Sequence, residues 1–243
     1  MINYLSAMPI LIIMEKEVLW NKFMFWITNN TLFFFSRKFL KKVLGKENIP
    51  LSGPFIIAAN HVSYVDPPLL YAVFCKERRY KVHFLASNGI KWMWWIFGGE
   101  KFLRWAVGII PTPERRGKKA KKPTVDVAVD VLNKGGVLGV FPYPKFYPSE
   151  PIKVKTGIAR MALWCKAPIV PVAIKGTYSI AGNDKPRLPK HWKRVVRVKI
   201  GKPFYLNQYC DAITNNYDKD KKMYQKVATK VVDKIEGMLK EKW

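Results

Sequence analysis

A histidine and an aspartate five residues apart are the pair in this chain best suited to chemistry. They are His61 and Asp66, within the segment Asn-His-Val-Ser-Tyr-Val-Asp-Pro-Pro at residues 60–68. A carboxylate that takes the proton of one imidazole nitrogen in a hydrogen bond leaves the other nitrogen available as a general base. The chain has 3 histidines in all, so one with an acidic partner at this spacing is a candidate catalytic base. The alternative is that Asp66 only caps a helix and that His61 is a structural loop histidine.

The elements on either side of the pair must bring the two side chains together. The apolar run at residues 55–59, Phe-Ile-Ile-Ala-Ala, is typical of a buried strand. Asp66 followed by Pro67 is typical of a helix N-cap with proline at the first helical position. The sequence therefore predicts a strand, a short loop and a helix start that bring His61 and Asp66 to one rim.

The rest of the chain alternates between strand-like and helix-like segments. This alternation predicts an α/β fold with a mostly parallel (mixed) sheet wrapped by helices. Helical pieces are also expected at residues 91–97 and 101–107. The predicted strands are 55–59, 80–86, 137–141, 169–174 and 195–200, and the other predicted helices are 67–74, 124–133, 156–165 and 216–242.

The composition indicates an anionic partner. The net charge is +26, from 43 Lys and Arg against 17 Asp and Glu, which is typical of proteins that bind a membrane surface, a phosphorylated substrate or nucleic acid. The 9 tryptophans and 14 phenylalanines favour the membrane. A nucleic-acid partner is not expected, because no nucleic-acid motif is recognisable. The cysteines, Cys75, Cys165 and Cys210, are scattered and form no Cys-x-x-Cys pair, so neither a disulfide framework nor a zinc site is predicted.

Residues 1–47 differ from the rest of the chain. Their apolar runs, at 5–14, 23–27 and 32–35, are each shorter than the roughly 20 residues of a transmembrane helix. Short apolar runs followed by basic residues are typical of helices that lie in the membrane interface. The sequence thus predicts an N-terminal membrane-associated segment at 1–47 and an α/β domain at 48–243. The alternative is a helical hairpin packed on the domain's own core.

A second group of candidate residues follows the apolar stretch Gly108-Ile109-Ile110. Six of the eight residues from 115 to 122 are basic. The planar guanidinium of arginine matches phosphate oxygens two at a time, so Arg115 and Arg116 are candidates to bind a phosphoryl group. The alternative is a solvated basic loop.

Several blocks in order resemble the glycerolipid acyltransferases, the 1-acylglycerol-3-phosphate O-acyltransferase family. The first block is the strand followed by His-x4-Asp, and the second is the Gly-x-Ile segment that ends in arginine at Arg115 or Arg116. Further along, the matching residues are Phe141-Pro142, Lys155-Thr156-Gly157 and Ile169-Val170-Pro171-Val172. The resemblance covers roughly residues 50–175.

The third block departs from the family pattern. Where the family has Phe-Pro-Glu-Gly-Thr-Arg, this chain has Phe-Pro-Tyr-Pro-Lys-Phe at residues 141–146. The replaced residues are those that, in the family, hold the phosphorylated acceptor. Glu150, Lys145 and Lys153 are candidates to substitute in part, but a lysine is a point charge and does not reproduce a bidentate arginine.

The resemblance implies an enzyme. Its reaction is transfer of a fatty acyl group from acyl-CoA or acyl-carrier protein to a hydroxyl of lysophosphatidic acid or a related lysophospholipid, in phospholipid biosynthesis. It implies His61 and Asp66 as catalytic residues, no metal and no cofactor, and a peripheral or monotopic location on the cytoplasmic face of an anionic membrane. Two alternatives remain: a non-catalytic lipid-binding protein that retains the fold, and an acyltransferase for a glycolipid acceptor. The expected substrate-binding residues are Arg115, Arg116, Lys145, Lys155 and Gly157.

Overall fold

The described part of the chain forms one seven-stranded sheet with helices on both faces. The computed structural model describes residues 38–63, 65–78, 82–87, 109–112, 124–143, 152, 154–180, 193–214 and 217–243, together with residues 30 and 34. Within these residues the strand order is β1-β7-β6-β2-β5-β3-β4. Neighbouring strands are parallel except for β6 and β7, which are antiparallel. The predicted α/β fold with a mostly parallel, mixed sheet is confirmed.

The bounds of the elements agree closely with the sequence pattern in the middle of the chain. The strands are β1 Leu40–Leu44, β2 Phe55–Ala59, β3 Val82–Ser87, β4 Ile109–Thr112, β5 Val137–Val140, β6 Ile169–Lys175 and β7 Val196–Ile200. The helices are α1 Asp66–Arg78, α2 Thr124–Asn133, α3 Gly157–Cys165, α4 Thr177–Ile180 and α5 Tyr217–Lys240. Two short 3₁₀ helices cover Lys46–Asn48 and Asn207–Ala212.

The central strand β2 is buried on both faces, because helices cover the sheet from both sides. Phe55 and Ile57 belong to one apolar layer, with α1. Ile56 and Ala58 belong to the opposite layer, with α2, α3 and α5. A strand covered on both faces carries a continuous apolar run instead of an alternating one, which is why residues 55–59 are recognisable from sequence.

Strand β1 lies inside the range that the sequence predicts as the N-terminal membrane segment. Leu40–Leu44 pairs in parallel with β7, from Leu40 beside Val196 to Leu44 beside Lys199. The assignment of residues 40–47 to a separate segment is therefore wrong. The reason is that pairing with β7 satisfies the backbone of a short run whose lysines, Lys41 and Lys42, point to solvent at the sheet edge.

Strand β4 is a second element that the sequence did not predict. Ile109–Thr112 pairs with β3 at the other edge of the described sheet. It contains Pro111, which lacks a backbone N–H and is tolerated in edge strands. The helical pieces expected at 91–97 and 101–107, and nearly all of residues 1–37, lie outside the described residues. Among the described residues, no helix has the length and apolar character needed to cross a membrane.

Candidate active site

His61 lies just beyond the end of the central strand. β2 ends at Ala59, and its neighbours β5 and β6 run parallel to it, so the carboxyl ends of the three strands share one edge of the sheet. In open parallel sheets, ligands bind at this edge. The predicted position of His61 where β2 gives way to a loop is confirmed.

The His61 imidazole is hydrogen-bonded to the Asp66 carboxylate. The distance between His61 Nδ1 and Asp66 Oδ2 is 3.0 Å. The Asp66 side chain is fully buried, whereas 20% of the His61 side chain is exposed. The aspartate is therefore held inside the protein, whereas the histidine is partly exposed at the edge of the sheet.

The loop between the two residues folds around the same carboxylate oxygen. The backbone N–H groups of Val62 and Ser63 both donate to Asp66 Oδ2, at 2.8 Å each. Asp66 N in turn donates to Ser63 O at 3.1 Å. Because three N–H groups converge on one oxygen, neither the loop nor the carboxylate can rotate without losing several bonds at once.

The expected N-cap role of Asp66 is wrong. Pro67 and Pro68 have no backbone N–H, so the first turn offers few donors for Asp66 to cap. The carboxylate instead binds the loop before the helix, and Asp66 is itself the first residue of α1. Val65 O accepts the Leu69 N–H at 3.0 Å. Asp66 is thus available to hold His61.

The hydrogen bond to Asp66 selects one tautomer of His61. When Nδ1–H donates to the carboxylate, Nε2 carries the lone pair and is available as a base. After proton transfer, the nearby carboxylate stabilises the imidazolium. The arrangement has the chemistry of a base that removes a proton from a hydroxyl.

A wall of two phenylalanines lies beside the imidazole. The Phe141 ring stacks on the His61 ring, with centroids 4.3 Å apart and an angle of 23° between the planes. Phe84 stacks behind Phe141, at 6.0 Å and 17°. A Cβ at Gly139 would lie 2.2 Å from the Phe84 ring, so glycine is required there. The sequence did not identify this wall, although Phe141 directly follows the strand beside β2.

The third block and the Lys-x-Gly segment meet at this edge. Lys155 N donates to Pro142 O at 2.8 Å, and Gly157 is the first residue of α3. The Lys155 side chain is exposed. Arg115, Arg116 and Lys145, the other predicted substrate-binding residues, lie outside the described residues.

Tyr143 occupies the position where the family's third block has glutamate. Its side chain is fully buried, and its hydroxyl donates to Glu236 Oε1 on α5. Burial raises the pKa of the phenol well above its usual range, and the Glu236 carboxylate raises it further. Sequence reasoning missed Glu236, which is 93 residues away and belongs to no motif.

Known proteins resemble this chain over much of its length. A family model described as "Acyltransferase" matches residues 40–175. The 1-acyl-sn-glycerol-3-phosphate acyltransferase of Bacillus subtilis is 30% identical over 138 residues, which are 57% of this chain and 64% of that protein. The chain thus spans less than two thirds of the length of this relative.

A solved structure has the same fold. It is the crystal structure of the 1-acyl-sn-glycerophosphate acyltransferase PlsC of Thermotoga maritima, with a TM-score of 0.53 and 22% identity, covering 88% of this chain and 80% of that one. The matched residues 40–175 contain His61, Asp66 and the phenylalanine wall. More than half of the chain is matched, and the chain belongs to the acyltransferase family.

Proposed function

We propose that the protein transfers a fatty acyl group from a thioester to a hydroxyl of a lysophospholipid, with lysophosphatidic acid as the first candidate. The observation that carries the proposal is the pairing of His61 with the buried Asp66, at 3.0 Å. A buried carboxylate oxygen that accepts two loop N–H groups and one imidazole N–H is a costly arrangement to maintain, and a histidine held in this way by a carboxylate at the edge of a sheet favours a catalytic role.

In the proposed reaction His61 Nε2 takes the proton of the acceptor hydroxyl. The acceptor oxygen attacks the thioester carbonyl carbon and forms a tetrahedral intermediate. The C–S bond then breaks, and the imidazolium returns the proton to the departing thiolate. Asp66 holds the tautomer and stabilises the imidazolium during these steps. General base catalysis of this kind contributes about 10²–10⁴-fold in rate.

The charge and the family support this choice of substrates. Acyl-CoA and acyl-carrier protein are both thioester donors with anionic groups, and a chain of net charge +26 attracts either of them. The acceptor's phosphate would be met by Arg115 or Arg116, with Lys145 or Lys155 assisting. Gly157 has no neighbouring atom closer than 4.0 Å to an added Cβ, so packing does not require glycine there, and close approach of a ligand is a reason for it.

The same charge supports a location on an anionic membrane, on the cytoplasmic face. The apolar runs of the N-terminal segment supply the interfacial contacts in this proposal, and the product would enter phospholipid biosynthesis. No metal or cofactor takes part in the proposed steps. Residues 1 to about 37 form the membrane-associated part, and the α/β domain begins with β1 at Leu40.

A second candidate acceptor is a lipid or sugar hydroxyl without a phosphomonoester. The altered third block favours it, because Tyr143 is buried against Glu236 and does not bind a phosphate. A purely lipid-binding protein is less favoured, since it would have no use for the His61–Asp66 pair.

The test is an assay of purified protein with radiolabelled acyl-CoA, and separately with acyl-carrier protein, against a panel of lysolipids and glycolipids. We expect thiol release matched by acylated lipid, with His61→Ala inactive. Hydrolysis or transfer that is equal in wild type and His61→Ala would contradict the proposal. Lipid binding without any transfer to any acceptor would favour the non-catalytic alternative.

A further inference from the structure

We infer that Tyr143 and Glu236 form a positioning pair for His61, which acts on the imidazole through Phe141. The inference rests on the proposed function for its kinetic test, but its geometry does not depend on which acceptor is used. It also assigns a role to α5, which lies outside the residues that the family model matches.

The pair joins the end of β5 to the long C-terminal helix. The Tyr143 hydroxyl donates to Glu236 Oε1, and the ring of Tyr143 is fully buried. Burial and the carboxylate both raise the pKa of the phenol, so Tyr143 remains a protonated donor throughout the working pH range. A hydrogen bond to a carboxylate is stronger than one between neutral groups.

Three consecutive residues at the end of β5 each contact a different element. Phe141 stacks on His61, Pro142 O accepts the Lys155 N–H before α3 at 2.8 Å, and Tyr143 binds Glu236 on α5. A segment tied at adjacent residues in different directions has little freedom to rotate. The orientation of the Phe141 ring, and with it the face that His61 packs on, is therefore set partly by the bond at Tyr143.

Helix α5 is itself fixed close to Glu236. Val231, Val232 and Ile235 on its inner face are buried. Beyond the helix, Lys175 Nζ donates to Glu241 O at 2.8 Å and Arg197 Nη1 donates to Trp243 O at 2.7 Å. These bonds tie the end of α5 to β6 and β7. Glu236 thus projects from a rigid element, as a positioning residue must.

The departure from the family motif coincides with this contact. Where the family's third block has glutamate, this chain has Tyr143, and its hydroxyl donates to the Glu236 carboxylate on α5.

The experiment compares Tyr143→Phe, which removes only the hydroxyl, with Tyr224→Phe as a matched control. Tyr224 is also fully buried and also donates to a carboxylate on α5, Asp220 Oδ2 at 3.2 Å, but it lies twelve residues from Glu236, or about 18 Å along the helix. We expect Tyr143→Phe to lower kcat about 10-fold with KM for both substrates unchanged, since small displacements of a reacting group cost this much or more. Tyr224→Phe should leave kcat within about 2-fold, at an equal or larger loss of Tm.

Variants of Glu236 separate the hydrogen bond from the charge. Glu236→Gln keeps an oxygen that accepts the tyrosine hydroxyl, so kcat should remain within about 2-fold of the wild type. Glu236→Ala should match Tyr143→Phe, and the double variant should be no worse than either single variant, because both remove the same interaction.

A second readout does not depend on acyl transfer. The rate at which diethyl pyrocarbonate modifies His61 in the folded protein is followed by peptide mass spectrometry, with His83 as the internal reference. Loosening of the Phe141 stack should raise the His61 rate about 3-fold or more in Tyr143→Phe and not in Tyr224→Phe. Equal His61 rates in both variants would overturn the inference, whether or not acyl transfer is found. A changed rate without any acyl transfer would uphold the positioning role and reject the proposed function.

Discussion

The side-chain amide of Asn60 is paired with both backbone polar groups of Ile174. Asn60 Nδ2 donates to Ile174 O at 2.9 Å, and Ile174 N donates to Asn60 Oδ1 at 2.8 Å. β2 has ended one residue earlier, so the amide continues the pairing with β6 by one further rung. The residue directly before His61 is thereby fixed to the neighbouring strand.

Asn60→Ala should destabilise the protein by about 2–4 kcal/mol, because it leaves two buried backbone groups of Ile174 without partners. Urea unfolding of purified protein measures this change. Asn48→Ala is the control, since Asn48 Nδ2 makes one half-buried bond, to Ile200 O at 2.9 Å, and should cost about 1 kcal/mol. Equal losses of unfolding free energy in the two variants would contradict the pairing of the Asn60 amide with the Ile174 backbone.

His61→Ala should lower kcat by about 10²–10⁴-fold with little effect on unfolding. Asp66→Asn should be nearly as damaging, because the amide oxygen can keep the bonds from Val62 N, Ser63 N and His61 Nδ1 but carries no charge to stabilise the imidazolium. Asp66→Ala should also lose about 1–3 kcal/mol of stability, since Val62 N and Ser63 N lose their acceptor. Steady-state kinetics and urea unfolding of the three variants separate these effects, and a fully active Asp66→Asn enzyme would contradict the role of the carboxylate charge.

Arg115→Ala or Arg116→Ala should raise the KM for a phosphorylated acceptor strongly and the KM for the acyl donor little. Loss of an arginine that meets a buried phosphate costs on the order of 2–5 kcal/mol. Initial rates measured against lysophosphatidic acid and acyl-CoA test this. If neither variant changes the acceptor kinetics, a hydroxyl lipid or sugar without a phosphomonoester becomes the preferred acceptor.

Removal of residues 1–29 should release the protein from anionic liposomes without lowering Tm. Removal of residues 1–47 should in addition destabilise the sheet, because it deletes β1 and its pairing with β7. Liposome sedimentation at moderate salt and thermal unfolding of both truncated proteins distinguish the two effects. Undiminished sedimentation of the shorter deletion would place the membrane contact elsewhere on the chain.

Stability should fall at alkaline pH through Cys75. Burial raises the pKa of its thiol from 9.0 to about 12, against smaller lowering effects of hydrogen bonds with the Val82 backbone and Tyr71. Between these pKa values the unfolded chain loses the thiol proton while the folded protein keeps it. The contribution of Cys75 to the free energy of unfolding is therefore complete below pH 9 and decreases as pH rises. The free energy of unfolding should fall about 2 kcal/mol more between pH 9 and 11 in the wild type than in Cys75→Val. Parallel curves of unfolding free energy against pH for the two proteins would contradict this raised pKa.

The sequence by itself determined the central elements and the pairing of His61 with Asp66. Residues 55–59 are apolar at every position because β2 is covered on both faces, and such a run is visible without a structure. His61 and Asp66 are close in the chain, so a strand end and a helix start suffice to bring them together. Local patterns are reliable where the interaction they predict is itself local.

Only the tertiary structure decided which distant residues support the pair. The edge strands β1 and β4 are short, and their pairing with β7 and β3 depends on partners elsewhere in the chain. Asn60 meets Ile174 114 residues away, and Tyr143 meets Glu236 93 residues away. A buried polar group must find a partner wherever folding brings one, and no spacing in the sequence encodes which partner that is.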